Sequence, residues 1–141
     1  MILSLNNRDV LKMELRCEKN TGYLFSPKIV REGNETLTSY DGISFGTTYR
    51  VYGIILYEEG IYYLIYDDFK MPNWYSAELF SVISNSLPEK WYFKHFGQSE
   101  SLTAIWGYYE LVNVDNHFDG LGEQEQTDID IFLNRKNEMY N

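Results

Sequence analysis

Cysteine is nearly absent from this chain: one residue, Cys17, in 141. A single thiol forms no internal disulfide, which fits a reducing compartment, and at this length a hydrophobic core forms without staples or a structural metal. Histidine is as scarce, with His95 and His117 only. Three such residues far apart, with none of the short ligand spacings of zinc sites, predict no metal and no cofactor. No apolar run reaches the roughly 18 residues of a membrane span, since even the stretch from Val51 to Tyr66 is broken by Glu58, Glu59 and Gly60. The first residues lack the basic start and apolar run of a signal peptide, so the expected location is the cytosol, with no membrane partner.

Basic residues are few and unevenly placed. The formal net charge is −9; residues 1–50 hold seven Lys or Arg against six Asp or Glu, whereas residues 51–141 hold five against fifteen. Between Lys94 and Arg135 there are eight acids and no Lys or Arg. Such a field repels nucleic acid and attracts basic proteins, so the expected partner is a basic protein. The plain alternative for an acidic surface is solubility.

Aromatic residues are plentiful: thirteen Tyr, eight Phe and three Trp. With the Ile and Val content they favour pleated, half-buried surfaces. Leu11 to Glu18 alternates apolar and polar as a one-faced strand does, Asn20-Thr21-Gly22 turns the chain, and Tyr23 to Phe25 returns it. Residues 31–46 read as a loop. A hairpin follows, Thr48 to Tyr57 and Ile61 to Tyr66 about a turn at Glu58-Glu59-Gly60. Trp74 to Ile83 reads as a bent strand or a single helical turn, Trp91 to Phe96 as a strand, Ala104 to Val112 as a strand with a helix left open, and Asn113 to Gly122 as a loop. Thr127 is the expected cap of a helix from Asp128 to about Glu138, with Ile129, Phe132 and Leu133 on its buried face and Arg135 and Lys136 suiting its C-terminal dipole. The expectation is one α+β domain, mainly β: a strongly curled antiparallel sheet or SH3-like barrel closed by a C-terminal helix. It is divided into an N-terminal hairpin and loop over 1–48, a main sheet over 49–112, and an acidic loop and helix over 113–141.

No catalytic constellation emerges. Residues 42–48 contain two glycines but lack the Lys-Ser/Thr ending of a phosphate loop and precede a strand where that motif precedes a helix. Asp67 and Asp68 are adjacent carboxylates that act together only where the chain leaves the sheet; a small enzyme using either with His95 or His117 is the catalytic alternative. The plain reading of the pair is a turn.

The runs Tyr49 to Ile54, Tyr63 to Asp68, Pro72 to Tyr75, Glu78 to Phe80 and Trp91 to Phe93 resemble immunity proteins of bacterial polymorphic-toxin and contact-dependent inhibition loci, and the strand spacing of an SH3-like barrel. The resemblance spans about residues 49–135 and brings no catalytic residues with it. It implies a cytosolic immunity protein that neutralises a cognate toxin, and a nuclease toxin, basic in order to hold phosphates, suits an acidic inhibitor. The partner-binding residues expected on this reading are Asp67, Asp68, Trp74, Tyr75, Asp115, Asp119, Glu123, Glu125 and Asp128. An SH3-like adaptor that takes a peptide along an aromatic groove is the other binding alternative.

Overall fold

The computed structural model describes residues 13–20 and 39–139. The return strand expected at Tyr23 to Phe25 lies outside them. Among the described residues eight strands form two antiparallel sheets. The first has the order β2-β1-β6, with β1 Met13–Cys17, β2 Thr48–Arg50 and β6 Phe80–Asn85. The second has the order β5-β4-β3-β8-β7, with β3 Gly53–Tyr57, β4 Gly60–Tyr66, β5 Pro72–Ser76, β7 Tyr92–His95 and β8 Leu102–Gly107. Three helices follow: α1 Tyr109–Asn113, α2 His117–Gly122 and α3 Gln126–Met139. The chain is thus α+β and mainly β. Both sheets are open among the described residues, ending on β5 and β7 and on β2 and β6, so the expected barrel closure is not found.

The expected strand from Thr48 to Tyr57 is two strands in different sheets. Val51 donates its N–H to the Met13 carbonyl, and Tyr52 donates to Leu64, so consecutive residues bond to opposite layers. Their side chains divide the same way. Val51 joins Met13, Leu15, Cys17, Tyr49, Tyr63, Ile65 and Leu79 in a core between the sheets, while Tyr52 joins Ile55, Leu64, Ile105, Leu111, Leu121 and Phe132 in a core beneath the helices. The period-2 alternation of β4 explains how one strand serves both, since Tyr63 and Ile65 face the first core and Leu64 the second. The five-stranded sheet is the middle layer.

The hairpin β3–β4 turns on two residues, Glu58 (φ 45°) and Glu59 (φ 68°), with Tyr57 paired to Gly60. This is the doubly left-handed turn that matches strand twist, built here from glutamates where Asn-Gly is usual; Gly60 opens β4 and is not part of the turn. The segment after Trp74 is both things expected of it: β5, a single 3-10 turn at Ala77–Leu79 capped by the Ser76 hydroxyl, then β6.

Two helices stand where the sequence reads strand and loop. β8 ends at Gly107, and its registered partner Gly53 leaves room for Leu111: a Cβ at either glycine meets the Leu111 side chain at 2.5 Å. The helical signal is local, because Tyr108, Leu111, Val112 and again His117, Gly120, Leu121 follow the i, i+3, i+4 spacing and are buried. α3 starts at Gln126, with the Glu125 carbonyl taking the first bonds from Asp128 and Ile129, so Thr127 lies inside the first turn and is not the cap. Phe132, fully buried, meets Tyr52 edge-on at 5.1 Å and stacks on Tyr66 at 6.3 Å.

Candidate partner-binding surface

The nine expected contact residues fall into two groups on opposite sides of the middle sheet. Asp67, Asp68 and Tyr75 belong to the first-core side. Asp67 is only 3% exposed. Its Oδ1 accepts from the backbone N–H groups of Phe69 (3.0 Å) and Met71 (3.3 Å), and its Oδ2 from Asn73 Nδ2 (2.8 Å) and the Tyr75 hydroxyl (2.7 Å). Four donors match the lone pairs a carboxylate offers. The residue therefore organises the five-residue turn between β4 and β5, in which Lys70 adopts φ 60°. Its oxygens are turned inward, and this removes Asp67 from the partner-facing set.

Asp68 is exposed but engaged. It accepts from the Ser44 hydroxyl and from the Tyr49 phenol at 2.8 Å, Tyr49 in turn accepts from the Ser44 N–H, and the Asp68 N–H donates to the Gly42 carbonyl. The pair thus fastens the 39–46 turns to the β4–β5 hairpin. Burial pushes the Tyr75 phenol strongly upward and the Tyr49 phenol up to about 12, reinforced in each case by its aspartate acceptor. Both remain donors at neutral pH. The exposed rings here are Phe45 and Phe69, each next in sequence to one end of the Ser44–Asp68 bond, and the sequence singles out neither.

The second group lies at the helices. Trp74 is half-buried, and its ring meets Phe118 of α2 at 5.7 Å, with the indole N–H buried and lacking an acceptor among the described residues. This contact joins an expected aromatic to the expected acidic stretch. Asp115, Asp119, Glu123, Glu125 and Asp130 are exposed. Asp119 is on α2, and the Glu123 N–H closes that helix on the Asp119 carbonyl. Asp119 and Asp130 are thus helical and Glu123 caps α2, while Asp115 lies in the turn between α1 and α2 and Glu125 in the connection between α2 and α3. Asp130 accepts from Gln126 at 2.9 Å across one turn of α3.

Asp128 is different. Its Oδ1 lies 2.8 Å from His117 Nδ1, and His117 Nε2 lies 2.7 Å from the Tyr108 hydroxyl. A carboxylate accepts only, so Nδ1 carries the proton and, in the neutral ring, Nε2 accepts from the phenol. The sequence places His117 in a turn; it is instead 1% exposed, at the junction of all three helices. A Cβ on Gly120 would overlap the Asp128 carboxylate, so glycine is what lets the latch close. The order phenol, imidazole, carboxylate resembles a nucleophile with its base and orienting group. However, Tyr108 is buried and its phenol is pushed strongly upward by that burial, so the arrangement holds helices together and does not present a phenolate.

A second polar tie lies nearby. Arg135 binds Glu110 through Nε (2.7 Å) and Nη2 (2.8 Å), and Glu138 through Nη1 (3.0 Å). These bonds hold the Glu110 carboxyl below its ordinary value.

The catalytic pairing of Asp67 or Asp68 with a histidine is not assembled. His117 lies in the opposite core, and His95, exposed on β7, is three strands across the sheet from β4, about 14 Å at the usual spacing. Among the described residues no group of three or more His, Cys, Asp or Glu is placed to hold a metal, and no helix is long and apolar enough to cross a membrane. Comparison with family models, with curated proteins and with solved structures finds no match.

Proposed function

We propose that the protein is a cytosolic inhibitor that binds and neutralises a basic protein, as an immunity protein does its toxin, through the acidic surface of Asp115, Asp119, Glu123, Glu125 and Asp130. The observation that carries this reading is the exposure of these five acids on and between the helices that pack on the second core. The neighbouring acids Glu110 and Asp128 are used internally by Arg135 and His117, so the exposed five are those with charge left for a partner. Fixed acids on a rigid frame steer a basic partner and raise its association rate. The Trp74–Phe118 contact beside Asp119 supplies an apolar centre of the kind on which affinity rests. Basic nuclease domains are the toxin class that suits such a face.

The test is to mix the protein with basic nuclease toxin domains, beginning with any encoded beside its own gene, and measure complex formation and toxin activity. A one-to-one complex at low salt that abolishes activity and weakens as salt rises is the expected result. Absence of a complex at low salt would overturn the reading.

A further inference from the structure

The five-stranded sheet ends on β7, whose four residues are exposed on both faces of the sheet. Its backbone has an open side. Phe96 donates its N–H to the Thr103 carbonyl, and antiparallel alternation then turns Tyr92 and Lys94 toward β8, leaving the N–H and C=O groups of Phe93 and His95 pointing away from the sheet. Among the described residues no strand pairs with that side, and an open edge of this kind is a template for another strand. Edge strands are commonly protected by a lysine, and Lys94 serves that purpose here. Protection alone does not account for the rings around it: Tyr92 is 46% exposed, Phe93 55% and Phe96 42%.

The charge of this edge is opposite to that of the rest of the C-terminal half. Residues 89–96 carry Lys90 and Lys94 against one acid, Glu89. Beside the edge lies a cleft of about 440 Å³ whose walls include Lys90, Trp91, Tyr92, Tyr109 and Arg135. Tyr92 and Tyr109 meet edge-to-face at 5.4 Å along it, and the Arg135 charge there is offset by Glu110 and Glu138.

We infer that the β7 edge accepts an extended acidic segment of another protein as an added strand. Residues of that segment opposite Phe93 and His95 complete the outward backbone bonds. The residue between them lies across from Lys94, on the helix-side face, and an acid there makes the favourable cross-strand pair. Two residues further along, the same face of the added strand meets Tyr92 and the cleft, where an apolar side chain packs between the tyrosines and the Lys90 stem. Lysine on the edge excludes basic strands and admits acidic ones. This surface is separate from the acidic one and does not depend on it.

The probe is a synthetic extended peptide alternating Glu with Val and Phe, with a second peptide carrying Lys for Glu, each titrated into the intact protein to millimolar concentration. Amide hydrogen exchange is read residue by residue. The acidic peptide is expected to bind, to slow exchange at the Phe93 and His95 amides at least severalfold at saturation, and to bind less well at high salt; the basic peptide is expected not to bind. Lys94→Glu, an exposed change, should reverse the preference. No binding of the acidic peptide, equal binding of both peptides, or binding that leaves the Phe93 and His95 amides unprotected would each overturn the inference. So would a free protein that is already dimeric with those two amides protected, since the edge would then belong to a second copy.

Discussion

Two acid-rich stretches, Asp67-Asp68 and Asp115 to Glu125, read alike in the sequence, each set near aromatic residues. The structure gives them opposite roles. Asp67 receives four hydrogen bonds and faces inward, while Asp115, Asp119, Glu123 and Glu125 face solvent with no side-chain hydrogen-bond partner among the described residues. The difference lies in the donors. Those of the first pair come partly from Ser44 and Tyr49, which are 24 and 19 residues from Asp68. An acid is available to a partner where the fold neither buries it nor surrounds it with internal donors, and local sequence does not report that.

The sharpest way to break this comparison is to delete one acid from each group. Asp67→Ala leaves two backbone amides, the Asn73 amide and the Tyr75 phenol without their acceptor in a partly buried turn, and should cost about 3 kcal/mol or more. Asp119→Ala removes an exposed charge and should change stability by no more than about 0.5 kcal/mol. Denaturant unfolding of both variants is the check, and equal losses would erase the distinction. Between these extremes lies the helix latch: Gly120→Ala displaces the Asp128 carboxylate from His117 and should cost roughly 2 kcal/mol, with His117→Phe doing similar harm.

Smaller effects follow from ionisation. Glu110 titrates below its ordinary 4.5 in the folded protein, so its contribution is present above that pH and is lost as pH falls through the depressed value. Arg135→Met should therefore destabilise the protein at neutral pH and flatten its loss of stability in acid. At the alkaline end, Tyr49 and Tyr52 are raised from 10 to about 12, chiefly by burial, so their contribution is complete below pH 10 and is lost as pH climbs from there toward 12. Phenolate absorbance should show a late-ionising fraction whose appearance coincides with unfolding.

Much of the architecture is legible in residue patterns. The alternation of β1, the β3–β4 hairpin, β7, and the Ile129–Phe132 face of α3 follow from period and composition. What was hidden depends on contacts distant in sequence. Nothing local to Val51-Tyr52 announces that the chain passes from one sheet to the other there. Helices α1 and α2 are too short for an averaged signal, although the spacing of Tyr108, Leu111 and Val112 carries it. For the candidate site, the exposed acids of 115–125 were readable from the lack of neighbouring bases. The internal capture of Asp67 by Tyr75 and Asn73, and of Asp128 by buried His117, was not, because in each case the deciding donor is neither Lys nor Arg.

The account stands or falls on whether the exposed acids steer a basic partner. Association kinetics against a basic nuclease toxin domain that the protein binds, measured at several ionic strengths, test this directly with the charge-reversed triple variant Asp119→Lys, Glu123→Lys, Glu125→Lys. The variant should fold, since all three side chains are exposed, and should associate at least tenfold more slowly at low salt, with a much weaker salt dependence. A folded variant that associates at the unchanged rate at low salt would contradict the account and leave the acidic helices as a solubilising surface.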